Sequence, residues 1–79
     1  MEIVPLWRLR PGERGVVKQV VCGPELQGRL EDLGMTTGLN VRCLHRAPSG
    51  SPAAYEIRGA AIALRKKDAD GILVEVPEE

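Results

Sequence analysis

A chain of 79 residues is one domain, 1–79, with a single small core; at this size only about 60% of the unfolded surface is buried on folding, which leaves few apolar residues for a deep substrate pocket. Eleven Lys plus Arg balance eleven Asp plus Glu, so no basic excess exists to neutralise phosphates and nucleic acid is not an expected partner. Trp7 and Tyr55 are the only aromatic residues, too few for a base-stacking platform or a proline-peptide groove.

The chain opens on MEIVPLWRLR, without the continuous apolar stretch of a signal peptide. Pro5 suits the first position of a helical turn, because its missing N–H would be unpaired there anyway. A short turn near residues 5–9 would lay Leu6, Trp7 and Leu9 on the core. Pro11-Gly12 then reverses the chain. Gly15–Cys22, GVVKQVVC, is a β-branched run and reads as the first strand. Its valines fall on both faces, so either the next helix covers the outer side or the strand bends. Pro24 and Glu25 start a helix over Pro24–Leu33, with Pro at the first position and an acid at the positive dipole end. Leu26, Leu30 and Leu33 follow at i, i+4 and i+7 on one face, and Gly34 ends the helix in the left-handed conformation. Such a helix is too short to stand alone and must dock on a sheet.

After Thr37-Gly38 the segment Leu39–His45 alternates. Leu39, Val41, Cys43 and His45 are expected on one side, with Asn40, Arg42 and Leu44 on the other. Pro48–Pro52 is a loop. Tyr55–Arg58 reads as the third strand, Gly59-Ala60 as a tight turn, and Ile62–Leu64 as the fourth strand. Asp68–Gly71 reads as one helical turn capped by Asp68, and Ile72–Val76 as the fifth strand. Five short strands, one helix after the first of them, and short helical turns near residues 5–9 and 68–71 predict a small, mainly β, closed or partly closed barrel.

Candidate sites follow from these placements. Leu26, Gln27 and Arg29 on the helix, with Met35 beyond it, could form a docking surface, since flexible Met side chains suit adaptable contacts; against this, Leu30 and Leu33 belong to the buried stripe and Leu26 is evenly balanced. Cys43 and His45, two apart on a strand, could hold zinc or iron together with Cys22; the competing reading is two core cysteines and a surface histidine. Asp68-x-Asp70-Gly71 lacks the later oxygen ligands of a calcium loop. Gly23-x₄-Gly28 is followed by Arg29-Leu30 and so is no phosphate-binding loop. No nucleophile stands beside a base, and a reactive centre is not expected. Arg65-Lys66-Lys67 reads as a solvated basic turn. Two cysteines are too few for a disulfide-stapled domain, and no run approaches the length of a membrane span; the expectation is a cytoplasmic protein that is not inserted in the membrane.

The ordered set Gly15-Val16-Val17, Arg29–Met35, Gly38, Ala47–Pro52, Ile62–Arg65, Asp68-Ala69 and Ile72–Val74 resembles the FeoA pattern from about Leu6 to Val76. Ser51 departs from it, since the family often has an acid there. The resemblance implies an SH3-like five-stranded barrel and a non-catalytic role in bacterial ferrous iron uptake. It implies a FeoB-type membrane permease with a cytosolic GTP-binding domain as partner. It implies no required cofactor; weak Fe or Zn binding and self-association stay open. A similar domain ends iron- and manganese-dependent repressors, but no DNA-binding helices precede it here, so the stand-alone form is expected. The alternative is a transition-metal-binding SH3-like domain acting as a metal-responsive regulator.

Overall fold

The computed structural model describes residues 2–21, 23–32 and 34–77, and all side chains within them except that of Leu26. Six antiparallel strands form one curved sheet in the order β1-β6-β2-β3-β4-β5, where β1 is Glu2–Pro5, β2 Arg14–Val20, β3 Asn40–Arg46, β4 Ala53–Ile57, β5 Ala60–Leu64 and β6 Ile72–Val76. A 3₁₀ turn, Leu6–Arg8, follows β1, helix α1, Pro24–Asp32, follows β2, and the short helix α2, Lys66–Ala69, precedes β6.

The additional strand is β1. Its four residues are too short for a legible alternation, and it exists because β6 returns between β1 and β2, with Ile3 opposite Glu75 and Val4 opposite Val74. The double-faced valine run in β2 resolves as a bulge. Val17 pairs with Val74 but Gln19 pairs with Leu73, so Lys18 is the extra residue and swings outward; such a bulge re-aims the side chains beyond it. Gly15 lets β2 and β6 approach closely, because a Cβ there would lie 3.1 Å from Glu75 O and from the Val74 side chain, tighter than ordinary van der Waals contact.

Helix α1 begins as expected, with the Gln27 N–H donating to Gly23 O at 2.9 Å and Pro24 at the first helical position. It ends in a Schellman motif: Met35 N–H donates to Leu30 O and Gly34 N–H to Glu31 O, both at 2.9 Å, with Gly34 at φ +85. Leu30 and Met35, the apolar pair of that motif, are both sealed in the core. Leu33 lies outside the described residues. The turn between β4 and β5 is Arg58-Gly59, one residue earlier than expected, and both positions have positive φ (54 and 82). That is the backbone of a two-residue hairpin whose twist matches the flanking strands.

Asp68 does not cap α2. The helix starts two residues earlier, after Arg65, which makes no side-chain cap bond. Instead Ser51 Oγ, from the β3–β4 loop, accepts the Lys66 N–H at 3.1 Å, so the cap comes from a distant segment. Leu6, Leu9, Val17, Leu30, Val41, Cys43, Tyr55, Ile57, Ile72 and Val74 lead a core in which no buried polar or charged residue is found among the described residues.

Candidate functional site: the groove beside helix α1

Because β2 bulges at Lys18, its outer end diverges from the segment that follows α1. A groove of about 300 Å³ opens between them, with Leu30 and Met35 among its lining and Lys18, Gln27, Glu31 and Thr36 around them. Lys18 also reaches Glu75 at 3.5 Å, a partly exposed ion pair of small energetic weight. Of the residues expected to meet a partner, Gln27 and Arg29 are exposed on α1, and Gln27 lines the groove. Met35, expected on an exposed docking surface, is instead only 2% exposed and serves the core, because the Schellman turn folds it back onto Leu30; it reaches the surface only as part of the groove floor. Leu26 lies in α1, and its side chain is outside the described ones.

Of the expected metal-binding residues, Cys43 and His45 do not converge. Cys43 pairs with Tyr55, but His45 pairs with Ala54, so β3 bulges at Leu44. The extra residue rotates everything beyond it by one face. Cys43 therefore points into the core with no exposure, while His45 faces solvent. Cys22 lies outside the described residues. Among the described residues no group of three His, Cys, Asp or Glu could hold a metal ion. Burial pushes the Cys43 thiol above its usual pKa, an effect the neighbouring Arg46 guanidinium only partly offsets. Burial likewise pushes the Tyr55 phenol up to about 12. These perturbed groups sit in the core, not in a cleft.

The same bulge turns Arg46 inward, and there it does something no sequence pattern signals. Its Nη2 donates to Trp7 O and, at 2.6 Å, to Leu9 O, fastening the N-terminal segment across the end of β3. A basic residue at a strand end reads as solvated; only the fold brings two carbonyls to it. Trp7 is clamped further, with Nε1 donating to Asp70 Oδ1 at 2.5 Å and Lys66 Nζ 4.4 Å from its ring centroid. One member of the basic run is thus a cation–π partner, whereas Arg65 and Lys67 remain exposed.

The model of the FeoA domain matches residues 4–76. The solution structure of FeoA from Chlorobium tepidum is 33% identical, with a TM-score of 0.87 over 92% of this chain and 70% of that one. The crystal structure of an iron uptake regulatory protein, FeoA, is 27% identical, with a TM-score of 0.84 over 94% of this chain and 97% of that one. Stenotrophomonas maltophilia FeoA, solved with zinc and described as a prokaryotic SH3 domain protein and a candidate activating factor of ferrous iron transport, is 26% identical, with a TM-score of 0.76 over 89% of this chain and 87% of that one. The sequence matches no curated protein. No helix among the described residues is long and apolar enough to cross a membrane.

Proposed function

Since the chain belongs to the FeoA family, we propose that it is a non-catalytic regulator of ferrous iron uptake that binds, in the cytoplasm, the GTP-binding part of a FeoB-type permease. The observation that carries this reading is the extent of the match to the family's domain, residues 4–76. The groups with perturbed protonation, Cys43 and Tyr55, being locked in the core adds support, because a working acid or base must reach substrate. The contact surface is the side of α1 on which Gln27 and Arg29 are exposed, continuing into the groove beside it, with Leu26 assigned to it from the sequence alone.

The test is binding of the purified chain to the isolated GTP-binding domain of a FeoB-type permease, paired with iron uptake in cells. Leu26→Glu and Arg29→Glu are expected to weaken the complex at least several-fold with an unchanged melting temperature. Wild-type uptake by both variants would remove α1 from the contact, and absence of any complex would remove the partner.

Zinc in the S. maltophilia structure favours a second reading, metal responsiveness. The residues here do not make a chelating pair, since Cys43 is sealed and His45 is turned away from it. Weak Fe or Zn binding is therefore assigned to exposed His45, acting alone or with a second copy. Zinc titration is expected to lose its response in His45→Ala and to keep it in Cys43→Ser; the reverse pattern would reject the assignment.

A further inference from the structure

The outward faces of β2, β3 and β4 carry charged residues at one register level. Arg14 pairs with Arg42, and Arg42 pairs with Glu56. Their chain neighbours Gly15, Val41, Cys43, Tyr55 and Ile57 are buried, so these three side chains point to solvent. Like charges directly opposite each other on a sheet face are destabilising, and here the sequence places two arginines so. A third, Arg58, stands two residues beyond Glu56 in the hairpin turn, at a positive φ of 54 that residues with a side chain rarely adopt. Arg14, Arg42, Arg58 and Glu56 line one open groove of about 380 Å³, together with Leu39 and Gly59. Among the described residues the one ion pair found joins Lys18 to Glu75, away from this groove.

We propose that this arginine groove is a docking site for an acidic, extended segment of a partner protein. The inference takes its biological setting from the partner-binding reading above and gives that partner a chemistry. Three guanidinium groups against one carboxylate make the groove positive within a chain whose charges balance as a whole. Each guanidinium is a planar fork that matches a carboxylate with two parallel hydrogen bonds. The layout favours spaced carboxylates over a compact phosphate. Arg14 and Arg42 lie side by side across strands, Arg58 stands in the turn beyond Glu56 with its side chain laid over Gly34 at the end of α1, and Glu56 lies opposite Arg42. A dianion drawn to all three arginines meets Glu56 as well. An extended segment with acids on alternate residues addresses Arg14 with Arg42 and Arg58 separately and passes Glu56.

The experiment is a titration of the whole chain, followed by amide chemical shifts, with a synthetic eight-residue peptide in which four acidic residues alternate with Val and Ser. Shifts are expected at Arg14, Arg42, Arg58 and Gly59. Affinity should fall roughly tenfold, ~1.4 kcal/mol, in Arg14→Gln/Arg42→Gln and weaken as salt is raised. The melting temperature of that double variant should stay or rise, because the repelling pair has gone. Lys67→Gln, exposed elsewhere on the surface, should leave affinity unchanged. The proposal is overturned by equal binding of the Gln/Asn version of the peptide, by equal weakening in Lys67→Gln, or by displacement with inorganic phosphate or a short oligonucleotide at lower concentration than the peptide. If the peptide fails while the GTP-binding domain still binds, the groove is wrong and the functional reading stands; if the peptide binds and the domain does not, the groove stands and the partner is wrong.

Discussion

Arg46 is a single residue on which the placement of a whole segment rests. Its guanidinium satisfies the carbonyls of Trp7 and Leu9 just where the N-terminal chain crosses the sheet. Hydrogen bonds to a charged donor contribute about 1.5–3 kcal/mol when their loss strands a partner, and partial exposure lets water replace some of that. Arg46→Ala is expected to cost ~2 kcal/mol, roughly 10 °C in a domain this small, and Trp7 fluorescence should report a loosened indole. Arg46→Lys should recover only part of the loss, because the shorter lysine chain delivers its charge from a different position and its ammonium is more strongly hydrated than a guanidinium. A melting temperature within a degree or two of wild type would show that the clamp carries little weight. Two further residues set the response to alkali. Cys43 and Tyr55 both have protonation raised by burial, Tyr55 to about 12. The folded state therefore holds protons that the unfolded chain releases near its ordinary thiol and phenol values of about 8.5 and 10. Stability from this source is complete below about pH 8.5 and declines as pH climbs towards 12. Urea unfolding between pH 8 and 11 should show the decline, and Tyr55→Phe should flatten its upper part. Stability that stays level across this range, with Tyr55→Phe superimposed on wild type, would contradict the assignment.

Helix α1 has one glycine within it and another just past its end, and the two have opposite meaning. Gly28 is mid-helix and exposed, with nothing within 4 Å of where a Cβ would stand. Gly34 is left-handed at φ +85, and a Cβ there would come within 3.1 Å of the Arg58 side chain. Gly28→Ala should therefore stabilise by ~1 kcal/mol, the helix-propensity difference. Gly34→Ala should destabilise by ~1–2 kcal/mol, the cost of placing an L side chain in that conformation, with fraying of the last turn of α1. Melting curves of the two variants that move in the same direction would refute the pairing of roles. The helix itself was legible because its signals are local: Pro24 at the start, Gly34 at the end, and leucine spacing between. Strands β4 and β6 were legible from β-branched or alternating runs bounded by breakers. What was not legible is what neighbours impose. The bulges at Lys18 and Leu44 exist because β6 and β4 pair in registers that the single strand does not encode. The second of them separated Cys43 from His45, which the unbroken alternation had put on one face. The cap of α2 was misassigned to Asp68 for the same reason, as Ser51 supplies it from 15 positions away in sequence.

For the whole molecule, the question is how a domain with so small a core divides its stability. Strands β6, β2, β3 and β4 are each paired on both sides and contribute most of the sealed residues, among them Val17, Val41, Cys43, Tyr55, Ile57, Ile72 and Val74. Helix α1 is attached differently. Among its described side chains only Leu30 is buried, and the described contacts that fasten it lie at its C-terminal end, where Leu30, Met35 and Gly34 make the Schellman turn. An element with few buried contacts opens at a lower free energy than the strands that define global unfolding. Native-state hydrogen exchange should accordingly fall into two tiers. Amides of α1 should exchange through a local opening ~2 kcal/mol or more below the global value, and those of β6, β2 and β3 only through global unfolding. Gly28→Ala should raise protection in α1 while adding little to the strands, because it acts on the local opening alone. The same feature bears on the proposed regulatory contact, since a helix that leaves the barrel without unfolding it can re-seat against a partner while the sheet stays intact. Protection in α1 equal to that of the central strands would mean that helix and barrel open only together, and a partner would then meet α1 as a rigid surface.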